Sequence, residues 1–133
     1  MLNLEIVTPE KKVLSETVES VTVPTISGEV GILTNHAPLI SSLKPGILSY
    51  NKSGGTEKIV ISGGFVEISA NKVSVLADIA EKADEIDIES ARLEKSEAEK
   101  ALAAWKDGSM EEFETENEKL ERAQARLLLT SGR

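Results

Sequence analysis

Apolar residues recur at every second position along most of the chain, then at every third or fourth position along its last part. Leu2, Leu4 and Ile6 alternate with Asn3 and Glu5, Val21 and Val23 flank Thr22, and Val30 and Ile32 flank Gly31. "EKIVIS", "FVEIS" and "KVSVLA" continue the series, the last with Val73, Val75 and Ala77 on one face. A period of two places such residues on one side of a sheet. Turn signals stand between the runs: Ser27-Gly28, Thr34-Asn35, Pro45-Gly46, "NKSGG", Gly63-Gly64 and Ala70-Asn71. Short antiparallel strands separated in this way, at a spacing of roughly 8–12 residues, predict a β-sandwich or flattened barrel.

The period changes near "ADIAEKADEID", where Ala, Glu, Lys, Leu and Arg take over. "DIESARLEKSEAEKALAAWK" predicts one helix, with Asp87 as N-cap and Glu89 favouring the positive end of the helix dipole. Ile88, Ala91, Ala98, Ala101, Leu102 and Trp105 form a narrow stripe that Lys95 interrupts. "KDGS" breaks the helix, and Ser109 with Glu112 three residues on is a capping-box pattern for a second one. The second helix carries Phe113, Leu120, Ala123 and Leu127 on one side, which makes the pair an antiparallel hairpin. The expected division is a β-sandwich over 1–84 and a helical hairpin over 85–133. An Ala-rich seam buries little apolar area, so the hairpin is expected to open or detach more easily than the sandwich unfolds.

Composition narrows the classes of function. The chain has 133 residues, a formal net charge of −8, 40% hydrophobic and only 3% aromatic residues. The core is therefore aliphatic, and the acidic balance argues against nucleic acid and anionic membranes as partners. With no cysteine there is no disulfide and no Cys-based zinc site. No apolar run approaches the ~20 residues of a membrane helix, and "MLNLEIVTPEKK" lacks the plan of a signal peptide. A soluble, intracellular protein without direct membrane insertion is expected.

Few residues offer chemistry. His36 is the only histidine, lying in "GILTNHAPLISSLKPG". It has no cysteine to pair with, Ser41 and Ser42 lack a G-x-S-x-G context, and one histidine with scattered carboxylates has no metal-ligand spacing. The glycine-rich "NKSGG" lacks the Gly-Lys-Ser/Thr ending of a phosphate loop and suits a hairpin turn. Arg122 and Arg126, spaced i, i+4, share a helix face. Two readings stay open for them: a solvated face supported by Glu118, or an anion site in which two guanidinium forks take a polyphosphate.

"SGEVGILTNHAPLISSLKPGIL", followed by "ISGGFVEI", "VSVLAD" and "EIDIESA", resembles the epsilon subunit of the F-type, proton-translocating ATP synthase. The resemblance runs over the whole chain in the same order. It implies a non-catalytic subunit of the central rotor stalk that binds the gamma subunit, rests on the c-ring and reaches the alpha/beta head. Rotation driven by proton flow would be coupled through it to ATP synthesis, and its hairpin would inhibit ATP hydrolysis when extended. The implied location is the peripheral complex on the cytoplasmic side of a bacterial inner membrane, or less readily a plastid thylakoid.

The same resemblance makes Glu29, Gly31 and His36 a c-ring-facing loop at one end of the sandwich, with His36 as a docking element rather than a base. Pro38 restricts Ala37 to extended geometry there, and Pro45-Gly46 closes the far side. Gamma-binding residues are not assigned. Some relatives bind ATP on the folded hairpin through Ile/Leu-Asp-x-x-Arg-Ala and arginines of the second helix. Glu81, Ile86, Asp87, Ala91, Arg122 and Arg126 match that pattern, but Ser90 stands where its arginine belongs. Arg92 lies about 200° further round the helix and cannot replace it. No cofactor is expected, and ATP is expected as a weak regulatory ligand at most. Arg122, Arg126 and Arg133 would offer positive charge to acidic surfaces of the head. The alternative is a free-standing nucleotide-sensing module with the same two-part fold; a hydrolase built on His36 has no support.

Overall fold

The computed structural model describes residues 1–105 and 108–131. Ten strands form two five-stranded sheets. One holds β1 (Leu2–Val7), β2 (Lys12–Val18), β5 (Leu39–Ser42), β8 (Phe65–Ser69) and β9 (Lys72–Leu76) in the order β2-β1-β9-β8-β5. The other holds β3 (Ser20–Thr25), β4 (Gly28–Ile32), β6 (Gly46–Lys52), β7 (Gly55–Ser62) and β10 (Ile79–Lys82) in the order β10-β7-β6-β3-β4. Neighbours are antiparallel except β1 and β9, which run parallel from Asn3↔Lys72 to Val7↔Leu76. These two strands are distant in sequence, so no tight hairpin dictates their direction.

The inner faces meet in one aliphatic core. Leu2, Leu4, Ile6, Leu48, Ile61 and Ile68 are almost wholly buried, as are Val73 and Val75. The alternation read from the sequence holds along β1, β8 and β9. It fails along β7, where Ile59, Val60, Ile61 and Ser62 are buried in succession. There the outer face is covered too, by a helix. Ala70 and Asn71 turn β8 into β9 with φ of 50° and 61°, the paired left-handed residues of a type I′ hairpin. Gly63 and Gly64 carry the chain from one sheet to the other. A Cβ on Gly64, whose φ is 89°, would overlap the Leu76 carbonyl oxygen, so only glycine fits.

A 3-10 turn at Ala83–Glu85 leads to α1 (Ile88–Ala104) and α2 (Met110–Leu129). Asp87 caps α1 by accepting from the Ser90 amide at 3.1 Å, and Ser109 caps α2 by accepting from the Glu112 amide at 3.1 Å. The seam between the helices centres on Ala91, Ala98 and Ala123. Ala101, expected on that seam, is exposed. Trp105 is not helical but caps α1 in extended geometry and meets Phe113 edge-on, ring centroids 5.3 Å apart. The expected break at "KDGS" includes Lys106 and Asp107, and the expected cation Arg133 ends the chain; all three lie outside the described residues.

The hairpin lies against β6 and β7 through a second, small cluster. Val60, Ile86 and Ala125 are its buried members, with Ile47 and Leu129 packed alongside. This contact is what buries both faces of β7.

Candidate functional site

Two surfaces collect the residues with functional potential, one where hairpin meets sandwich and one on the bare side of the sandwich. At the first, α1, α2 and β10 bring four charged side chains together. Arg122 donates through Nε and Nη2 to the two carboxylate oxygens of Glu94 at 3.3 and 3.1 Å. Arg126 donates through Nη1 to Glu94 Oε1 at 3.2 Å and through Nε to Glu81 Oε1 at 2.6 Å. Two cations and two anions thus form a neutral, part-buried network, and the mutual repulsion of the arginines is offset by Glu94.

The residues matched to a nucleotide motif divide into three groups. Glu81, Arg122 and Arg126 join this network. Ile86 packs against Val60 and Ala125, and Ala91 is buried in the helix seam. Asp87 caps α1, a position from which its carboxylate serves the helix N-terminus. Arg92 turns away and pairs with Glu89 at 2.7 Å on an exposed face. Glu94 was the partner missed in the sequence. Its spacing after Ala91 and before Ala98 sets it on the seam face, an acid where the stripe calls for an apolar residue, and that was its signal.

Glu29, Gly31 and His36 do not share one loop. Glu29 and Gly31 lie within β4, paired with Pro24 and Thr22, close to the Ile26-Ser27 turn. His36 follows the opposite end of that five-residue strand. The physical reason is that "GEVGI" pairs fully with β3 and cannot curl back to meet the histidine. The loop around His36 is well tied. The His36 amide donates to the Leu33 carbonyl at 3.1 Å, and the Asn35 amide, at φ 68°, donates to Asn71 Oδ1 at 2.7 Å. The His36 ring lies with Nδ1 2.6 Å from the Ala37 carbonyl oxygen, which can only accept, so Nδ1 carries the proton. Among the described residues, no acid orients the ring as a base would require.

The second surface is the outer face of the sheet that the hairpin does not touch. Phe65 stands opposite Ser42 and Leu76, Glu67 opposite Ile40, and Leu76 beside Val7. Cross-strand partners share a face, so Ile40, Phe65, Leu76 and Val7 make an apolar stripe at one end of this sheet. Ile40 is 69% exposed and Phe65 and Leu76 are each 43% exposed. The sequence hid it because each of these residues occupies the outward phase of its strand, where polar residues are expected. Ile26 and Leu33 are likewise exposed, one at each end of β4.

Among the described residues, no three His, Cys, Asp or Glu side chains gather to hold a metal ion, and no helix is long and apolar enough to cross a membrane.

Comparison with known proteins agrees with this fold. The family described as "ATP synthase, Delta/Epsilon chain, beta-sandwich domain" matches residues 1–83. The ATP synthase epsilon chain of Nitratidesulfovibrio vulgaris strain DP4 is 51% identical over 106 residues, 80% of this chain and 79% of that one. That of Carboxydothermus hydrogenoformans is 52% identical over 102 residues, 77% of this chain and 76% of the other. Among solved structures, a chain of the Euglena gracilis mitochondrial ATP synthase, in an assembly of OSCP, F1 and c-ring, superimposes with a TM-score of 0.79. It is 28% identical, with 95% of this chain and 81% of that one covered. A chain of the Tetrahymena thermophila mitochondrial ATP synthase central stalk and c-ring shares the fold at a TM-score of 0.63 and 14% identity, covering 97% of this chain and 96% of that one. Sandwich, hairpin and sequence agree, and the chain belongs to the epsilon subunits of the F-type ATP synthase.

Proposed function

We propose that this epsilon subunit is a non-catalytic part of the central rotor stalk that couples c-ring rotation to ATP synthesis and restrains ATP hydrolysis through its hairpin. The observation that carries the reading is the division of the sandwich. One outer face is covered by the hairpin through a small apolar cluster, while the other presents a bare apolar stripe of Ile40, Phe65 and Leu76. A rotor part needs a permanent docking face that a moving regulatory element never occludes. The stripe suits the gamma subunit, with the tied His36 loop on its flank. The β3–β4 turn, with exposed Ile26 beside Glu29 and Gly31, suits the c-ring.

The complex so assembled is peripheral, on the cytoplasmic side of a bacterial inner membrane. The hairpin, lifted from the sandwich, would extend along gamma towards the alpha/beta head. Its few buried side chains and Ala-rich seam suit an element with two packings separated by a few kcal/mol. ATP is a weak ligand of the seated hairpin: Ser90 supplies no charge, and Arg122 and Arg126 are already paired. A free-standing nucleotide sensor would need those arginines unoccupied.

The test is ATP hydrolysis by the matching alpha/beta/gamma core, alone, with the full chain, and with a chain ended at Glu85. Inhibition by the full chain only, with both forms binding gamma, is expected. Equal hydrolysis with both would remove the regulatory role, and failure of both to bind gamma would remove the rotor role.

A further inference from the structure

Two carboxylates and a phenol occupy inward-facing positions at one edge of the sandwich, where apolar residues are expected. Glu16 shares its phase of β2 with the buried Leu14 and Val18 and stands opposite the buried Leu4. Tyr50 continues the phase of the buried Leu48, and its cross-strand partner is Glu57, two residues before the buried Ile59. The three border a cleft of about 380 Å³, with Leu14 and Ile59 also in its lining.

Tyr50 is 8% exposed, and its hydroxyl has no hydrogen-bond partner among the described residues. A buried phenol ordinarily finds one. Burial pushes its pKa up, and Glu16 and Glu57 act in the same direction, so both acids are close enough to be felt at the phenol. Glu16 gives one oxygen, Oε2, to Lys52 at 3.2 Å, and Glu57 makes no ion pair among the described residues. The exposed Lys58 and Lys82 border the cleft without closing on either acid, and the exposed Asp84 adds a third carboxylate.

We propose that this cleft binds an alkyl-guanidinium or alkyl-ammonium group, with Glu16 and Glu57 meeting the charge, the Tyr50 hydroxyl accepting an N–H, and Leu14 and Ile59 covering the stem. Such a cation supplies what this edge lacks, a partner for the hydroxyl and a counter-charge for Glu57. A guanidinium suits it best, because its planar fork reaches two acceptors at once. The group can be carried on an arginine or lysine side chain of a neighbouring subunit or on a free amine.

Tyr50 is the only tyrosine, so fluorotyrosine incorporated into the full chain gives one fluorine resonance at the cleft. Butylguanidinium chloride at neutral pH is expected to move that resonance along a saturating curve in the millimolar range. Sodium chloride at equal ionic strength and the neutral butylurea should leave it in place. Glu57→Gln should weaken binding about tenfold, and Glu16→Gln by a similar factor. Glu57 is exposed, so its substitution should leave the urea midpoint unchanged. Lys82→Met, which removes a competing charge from the cleft, should tighten binding severalfold.

A response that does not saturate, one that sodium chloride reproduces, or one that survives Glu57→Gln unchanged would overturn the proposal. The same label in the gamma-bound chain separates the two sources. A resonance already at the saturated position and insensitive to the probe assigns the cation to a neighbouring side chain. One that still moves with the probe assigns it to a free amine. A resonance that keeps the unbound position and no longer moves would overturn the site in the assembly.

Discussion

Ala125→Glu is expected to lift the hairpin without unfolding the sandwich. Ala125 is 7% exposed and seats α2 against Val60 and Ile86, with Ile47 and Leu129 at the margin. A fully covered Val or Ile is worth about 2 kcal/mol, so the five side chains contribute roughly 6 kcal/mol in gross terms. Fixing the rotamers of the Ile and Leu side chains and restraining the tether takes back about half. Seating is therefore favoured by about 3 kcal/mol, roughly a hundredfold. A glutamate side chain has no room where Ala125 meets Val60 and Ile86, and forcing it in costs about as much. The seated form should fall to a minority. Amide hydrogen exchange with mass-spectrometric readout checks this: amides of α1 and α2 should lose about two decades of protection, while those of β7 stay protected by their ladder with β6. Gln124→Glu, one residue away and exposed, should change nothing. Full protection of α2 in Ala125→Glu would refute the claim that this cluster seats the hairpin.

Gly64→Ala should cost about 3 kcal/mol or more in urea unfolding, because a Cβ there meets the Leu76 carbonyl and φ is 89°, whereas Gly31→Ala, with open space around it, should stay within about 0.5 kcal/mol. Phe113→Ala should red-shift the emission of Trp105, the only tryptophan, and weaken the hairpin by about 1 kcal/mol, leaving sandwich unfolding unchanged. Tyr50 has its phenol pKa pushed up, first by burial and then by Glu16 and Glu57. The unfolded chain therefore loses that proton at a lower pH than the folded one, and stability should fall as pH rises past the ordinary value near 10. Absorbance titration at alkaline pH should place the Tyr50 transition above that value, and Tyr50→Phe should flatten the alkaline loss of stability.

The sandwich was legible because its rule is local. Strand by strand, the phase of Leu2-Leu4-Ile6 or of Val73-Val75 names the inner face, and the residue pairs at φ > 0 name the turns. Both helix caps were readable for the same reason, since Asp87 and Ser109 act on amides three residues away. What could not be read depends on which surfaces meet. Four successive buried residues in β7 make sense only once α2 lies on it, and the parallel pairing of β1 with β9 spans most of the sandwich sequence. The candidate sites divide along the same line. Arg122 and Arg126 were visible as a pair, but their neutralisation by Glu94 and Glu81 arises from contacts 28 to 45 residues apart. The expected loop of Glu29, Gly31 and His36 failed because a hairpin ladder straightens the chain between them.

The hairpin leaves the sandwich through β10, a strand of four residues at the edge of its sheet, bonded to β7 alone. Its last pair, Lys82↔Ile59, is the first to feel any pull from the hairpin side. Tension applied there meets the ladder one pair at a time, as in peeling, and β10 can come away while the other nine strands stay paired with one another. The strand is thus a mechanical fuse. If the hairpin is gripped elsewhere in a turning assembly, the excess strain is released by lengthening the tether, and the sandwich keeps its shape.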